Sequence, residues 1–278
     1  MVRGHWHTTN CERLLMFRAL FNPHDPFNQI CFVGFVLGLI LLLAALATGE
    51  EIVVPLTEST DTLAISALVE QFDSPDLIIR TDADGCMMTT IPAFACYAEA
   101  CAKLDGAPLA MAKVLCGKSG YSEQSRTAAA VALEAIGPEA MVAEPTLRRL
   151  LASPQMRDNI MALAIIRGIG SDAESLLGPV RTLLHAENLH VAYWACRAVA
   201  AMGHQGEPAV ADLCLLLMSD EPASVRRNAC IALGAAAPGS ENLDVAIRVL
   251  AEVLVLDFVH PVRVEAEGAL KKIFSQQK

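Results

Sequence analysis

Aromatic side chains are scarce: they make up 5% of the 278 residues, as Trp 2, Tyr 3 and Phe 9. The hydrophobic share is still 54%, carried mainly by Ala, Leu and Val. A β-sandwich needs aromatic and β-branched alternation, so this mix disfavours one. Positive charge is also short, with 21 Lys and Arg against 31 Asp and Glu and a net charge of −10. Phosphate binding needs a basic surface, so nucleic acid is not an expected partner. There are 9 cysteines but no C-x-x-C, and a zinc knuckle therefore has no ligand spacing. The histidines form no H-x-x-x-H and no His-Glu pair on one helix. G-x-S-x-G, the P-loop and G-x-G-x-x-G are all missing. The expectation is a chain without a catalytic constellation, a metal site or a cofactor, and hence not an enzyme.

What is present begins with an apolar run. Residues 30–47 (ICFVGFVLGLILLLAALA) are all apolar or Gly, and no charge occurs over 27–49. At ~1.5 Å per residue the run spans about 27 Å as a helix, close to the thickness of a bilayer core. Two readings stand: a transmembrane helix at 30–49, or a signal peptide cut after Ala47, since Ala45-Leu46-Ala47 fits a small-x-small site. Arg3, Arg13 and Arg18 precede the run, and Glu50 and Glu51 follow it. That asymmetry keeps the amino terminus in the cytoplasm and places the rest on the exported side. The alternative is a secreted or periplasmic product. The chain thus divides into a polar leader (1–29), the apolar segment (30–49), a linker (50–58) and a long remainder (59–278).

The remainder repeats itself. RTAAAVALEAIG (126–137), NIMALAIIRGIG (159–170), AYWACRAVAAMG (192–203), RRNACIALGAAA (226–237) and RVEAEGALKKIF (263–274) share one pattern, and FACYAEACAKLD (94–105) is a weaker copy. Their last large core positions are Leu104, Ile136, Ile169, Met202, Ala236 and Ile273, in steps of 32, 33, 33, 34 and 37 residues. Helical periodicity between the copies predicts partner helices over 139–151, 173–185, 207–218 and 242–256, with no persistent strand alternation. Each copy is then one helical hairpin, and about six such hairpins stack into an all-α α-solenoid. Gly168-Ile169-Gly170-Ser171 reads as a helix cap and turn.

These copies resemble HEAT repeats of the short kind also found in phycobilisome lyases, whose second helix runs D-x-x-x-x-V-R-x-x-A-A-x-A-L-x-x-[IL]-G. DEPASVR (220–226) and DFVHPVR (257–263) reproduce its opening. Arg126 has the Arg without the Asp, and Asn159 fills the Arg position in its copy. The resemblance implies an armadillo-like helical array with a concave groove lined by the second helices. It implies a role in protein binding, with a bilin-lyase-like activity or a structural part in an envelope assembly as alternatives. The iron-binding HEAT hydroxylases need His-Glu pairs, which this sequence lacks.

Within that groove the residue types favoured at binding hot spots are Tyr193, Trp194 and Arg227, read as exposed, together with Arg197 and Ile231 at the fifth position after the Arg slot. They are the expected contacts for a protein or peptide partner. Asp near each turn is expected to cap a helix, and Arg to bridge to a neighbouring turn. Cys196 and Cys230 occupy a slot that is Ala130 and Leu163 elsewhere, which marks them as small buried hydrophobes. Cys86, Cys96, Cys101 and Cys116 are left as candidates for a bridge.

Overall fold

In a computed structural model of the chain, the described residues are 104–116 and 120–276, with Ile65, Val69 and the backbone of two short strands. All belong to one unit, Ile65–Lys278. The leader, the apolar segment, its cleavage site and the linker lie outside them, as do Cys86, Cys96 and Cys101. Among the described residues no helix is long and apolar enough to cross a membrane.

Between 107 and 276 the described residues form helices joined by short turns, in accord with the repeat pattern. The helices are α1 (Ala107–Cys116), α2 (Glu123–Ile136), α3 (Glu144–Leu151), α4 (Met156–Ile169), α5 (Leu177–Leu184), α6 (Leu189–Met202), α7 (Val210–Leu217), α8 (Ala223–Ala236), α9 (Leu243–Leu256) and α10 (His260–Gln276). One departure precedes them. Strands β1 (Ile79–Thr81) and β2 (Met87–Thr89) pair antiparallel, with Arg80 opposite Met88. Strands of three residues are too short to show a period of two. The sequence does carry a hairpin signal between them, Asp84-Gly85.

The even-numbered helices pack in series, α2 on α4, α4 on α6, α6 on α8 and α8 on α10. The odd-numbered helices form a second row, and the core lies between the rows. Ala128, Ala129, Ala130, Ala162, Ala195 and Ala229 are all fully or almost fully buried, as are Leu133, Leu163, Val199 and Leu233. Small side chains bring the helix axes close, and each large one adds about 1.5–3 kcal/mol of burial. The closest approaches occur at glycine. A Cβ on Gly168 would lie 2.8 Å from the Cα of Glu134 in α2, and one on Gly234 would lie 2.8 Å from the Cα of Ala269 in α10. Gly168 is therefore a packing residue, which corrects its reading as part of a cap.

Gly170 does cap α4, with φ 72, and Gly137 and Gly203 end α2 and α6 in the same left-handed region. After each of them the chain runs through a 3-10 segment (Gly137–Ala143, Gly170–Leu176, Gly203–Ala209) before the partner helix turns α-helical. The partner helices expected from 139, 173 and 207 thus begin as 3-10 turns. Ala237 occupies the corresponding place after α8 and stays right-handed. There the chain turns further on, at Gly239, and α9 is α-helical over its whole 14 residues.

The Arg slot ties consecutive copies together. Arg226 donates from Nε and Nη2 to the two carboxylate oxygens of Asp257, at 2.8 and 3.1 Å, and from Nη1 to the Glu221 carbonyl. Arg126 donates to Asp158 at 2.8 Å and to the Leu115 carbonyl at 3.3 Å, so it has an acidic partner after all, one copy further on. Asn159 in the same slot donates to the carbonyls of Leu150, Leu151 and Ser153, and Arg263 to that of Asp257. The common task is to satisfy carbonyls left open at the preceding turn. Asp257 also accepts from the Val259 N–H just ahead of α10. No side chain caps the start of α8, so Asp220 does not act as expected.

Candidate functional site

The outward face of the even-numbered row holds the predicted contact residues. Tyr193, Trp194 and Arg197 come together within two turns of α6. Arg197 donates from Nη1 to the Tyr193 hydroxyl at 3.2 Å. Its guanidinium carbon lies 5.6 Å from the Tyr193 ring centre and 5.0 Å from that of Trp194. The two rings meet edge to face at 6.2 Å. A second guanidinium, from Arg167 of α4, lies 5.1 Å from the Trp194 ring. Cation–π attraction at this range holds both arginines against the indole.

Trp194 itself is 3% exposed, which corrects its reading as an exposed contact. Its ring fills the seam between helices, and its Nε1 is buried without an acceptor among the described residues. Tyr193 and Arg197 are half-buried, and Arg227 is exposed. Arg227 sits on α8 and donates to Glu265 of α10 at 2.9 and 2.8 Å. Ile231, one turn along α8, is 38% exposed.

The sequence reading missed Glu134 and Arg167. Arg167 pairs with Glu134 of α2, so a run of polar and aromatic contacts crosses α2, α4 and α6. A signal was available, since the two residues are 33 apart and occupy the same position in successive copies. The arginines on this face differ in one respect. Arg167 and Arg227 each hold a carboxylate, whereas Arg197 has none among the described residues. Two aromatic rings and a hydroxyl, with no carboxylate among the described residues, hold the Arg197 guanidinium in place.

Burial pushes the Cys196 and Cys230 thiols up to about 12 and that of Cys214 up to about 11. Such thiols carry almost no thiolate at neutral pH. Cys116, Cys196, Cys214 and Cys230 are all free. Asp212 accepts from Arg181 at 2.6 Å and lies 3.5 Å from the His185 ring, but no cluster of three metal-ligating side chains forms among the described residues. No family model matches the chain, and no curated protein sequence matches it significantly.

Proposed function

We propose that this chain is a membrane-tethered scaffold: an α-solenoid of HEAT-like hairpins, held by a transmembrane helix at 30–49 and displayed on the exported side, that binds another protein along the face of its even-numbered helices. It acts by binding rather than by catalysis. The observation that carries the reading is Arg197, positioned by Tyr193 and Trp194 and lacking a carboxylate among the described residues. Ile231 and Arg227 extend the same helix row by one repeat, giving an apolar contact beside an ion pair. The serial packing of near-equal hairpins supports the solenoid, since a single hairpin cannot bury its own apolar face.

Site-specific photo-crosslinking in the native cell tests the binding face. A crosslinker at Ile231 should give a discrete adduct that disappears with Arg197→Glu, and one at the exposed Leu109 of α1 should not. Adducts of equal yield at both positions, or an adduct indifferent to Arg197→Glu, would overturn the assignment. The tether is tested separately by the amino-terminal residue of the mature protein: a soluble chain starting at Thr48 removes it.

A further inference from the structure

A second surface lies away from that face, at the turns joining α7 to α8 and α9 to α10. Phe258 is 87% exposed, Leu256 68% and Met218 69%, and Val255 beside them is open as well. Phe258, Leu256 and Met218, with Leu217, Val249 and Val253, border a shallow groove of about 390 Å³. Large apolar side chains gathered at this exposure mark an interaction site more often than a chance surface. The Arg226 guanidinium, 5.5 Å from the Phe258 ring centre, holds the ring at the rim.

Charge narrows the occupant. Arg226 is the cation of the groove, and Asp257 neutralises it. Asp220 and Glu252 also line the groove, both exposed and neither in an ion pair among the described residues. The rim is therefore acidic. A further repeat does not suit this end of the rows. Gly234 is covered by Ala269 of α10, but the matching position in α10 is Lys271, which is exposed and paired with Glu267. Polar outer faces of this kind close a helical array. A second copy would bring acidic rim against acidic rim, and an anionic membrane would repel it in the same way.

We infer that this turn-edge groove is a docking site for a protein segment that carries a large apolar anchor flanked by Lys or Arg. It is independent of the Arg197 face.

A displayed peptide library selected on the full-length chain tests the inference. The expected consensus is an aromatic or Leu anchor with flanking Lys or Arg. A labelled peptide of that consensus should lose about tenfold in affinity or more with Leu256→Ser combined with Phe258→Ser. It should weaken again with Asp220→Lys and Glu252→Lys, and lose salt dependence in that variant. Arg197→Glu should leave it unchanged, which separates failure here from failure of the first face. The inference is overturned by a consensus without basic residues, by peptides that survive the Leu256/Phe258 change, by self-association that this change abolishes, or by phosphatidylserine vesicle binding that depends on Phe258.

Discussion

Arg226 and Asp257 meet as a two-pronged ion pair across one repeat, 31 residues apart in sequence, with side chains only 11% and 7% exposed. Removing one partner leaves the other charge buried and strands the Val259 N–H that Asp257 also accepts. Asp257→Ala should therefore destabilise the chain by about 3 kcal/mol, read as a shift of the urea midpoint at constant slope. Glu267→Ala, which breaks the exposed Lys271 pair, should leave the midpoint in place. Equal shifts for the two would remove the distinction between buried and exposed pairs drawn here.

The same carboxylate sets a pH dependence. Burial alone would raise the pKa of Asp257, but the hydrogen bonds from Arg226 and the Val259 N–H outweigh it and hold the group below its ordinary value. A carboxylate depressed in the folded state stabilises the fold above the unfolded value of about 3.9, and that contribution fades as pH falls through the lower folded value. The stability difference between wild type and Asp257→Asn should be flat from neutral pH down to about 4, and then shrink with further acid. A difference that shrinks between pH 7 and 5 would place the effect on another group.

Glycine substitutions separate three roles. Gly168→Ala drives a methyl into the backbone of Glu134 and should cost about 1–3 kcal/mol or more, because both walls are helix backbone. Gly170→Ala meets only the Ala201 carbonyl oxygen, at 3.4 Å, but holds φ at 72, and should cost about 1 kcal/mol, mainly from backbone strain. Gly178 in α5 has neither constraint, and Gly178→Ala should be neutral or gain up to about 1 kcal/mol. Thermal melts of the three variants should give that order.

These cases show how far the sequence could be read. The Ala-rich copies, their spacing and the capping Gly170 are visible because each depends on local pattern. The ion pairs were harder, and for a definite reason. Arg126 and Arg226 occupy one repeat position, but their partners do not: Asp158 stands one residue before its copy's slot and Asp257 six before. Matching the copies column by column hides a contact that the turn brings to the same place in space. Gly168 and Gly170 look equivalent in sequence, and only the path of α2 beside α4 distinguishes them. The burial of Trp194 was hidden likewise, since its neighbour Arg167 comes from the preceding copy.

Trp194 therefore makes a poor probe of the proposed binding face. Trp194→Ala should cost about 3–5 kcal/mol as a cavity mutation, and any loss of a partner would follow from unfolding. Arg197→Gln removes the outward charge while its neighbours stay packed, and should leave stability within about 1 kcal/mol. Loss of the Ile231 crosslink in Arg197→Gln with an unchanged melt would locate recognition at the guanidinium. A melt lowered as far as that of Trp194→Ala would make Arg197 a packing residue instead.

The cysteines offer a readout of the core itself. Cys196 and Cys230 are fully buried, in the slot that carries Ala130 and Leu163 in other copies, and burial raises both thiols to about 12. A thiol reagent needs both access and thiolate, and these two lack both. Cys116 is half-buried and should be labelled first among Cys116, Cys196, Cys214 and Cys230 when the native chain is mapped by mass spectrometry. Cys196 and Cys230 should become reactive only as the helix rows separate, so their labelling should follow the urea transition. Because each sits on a helix packed between two others, α6 between α4 and α8 and α8 between α6 and α10, the two should respond together if the array unfolds as one unit. Labelling of Cys230 well before Cys196 would mean that the α9–α10 end opens independently.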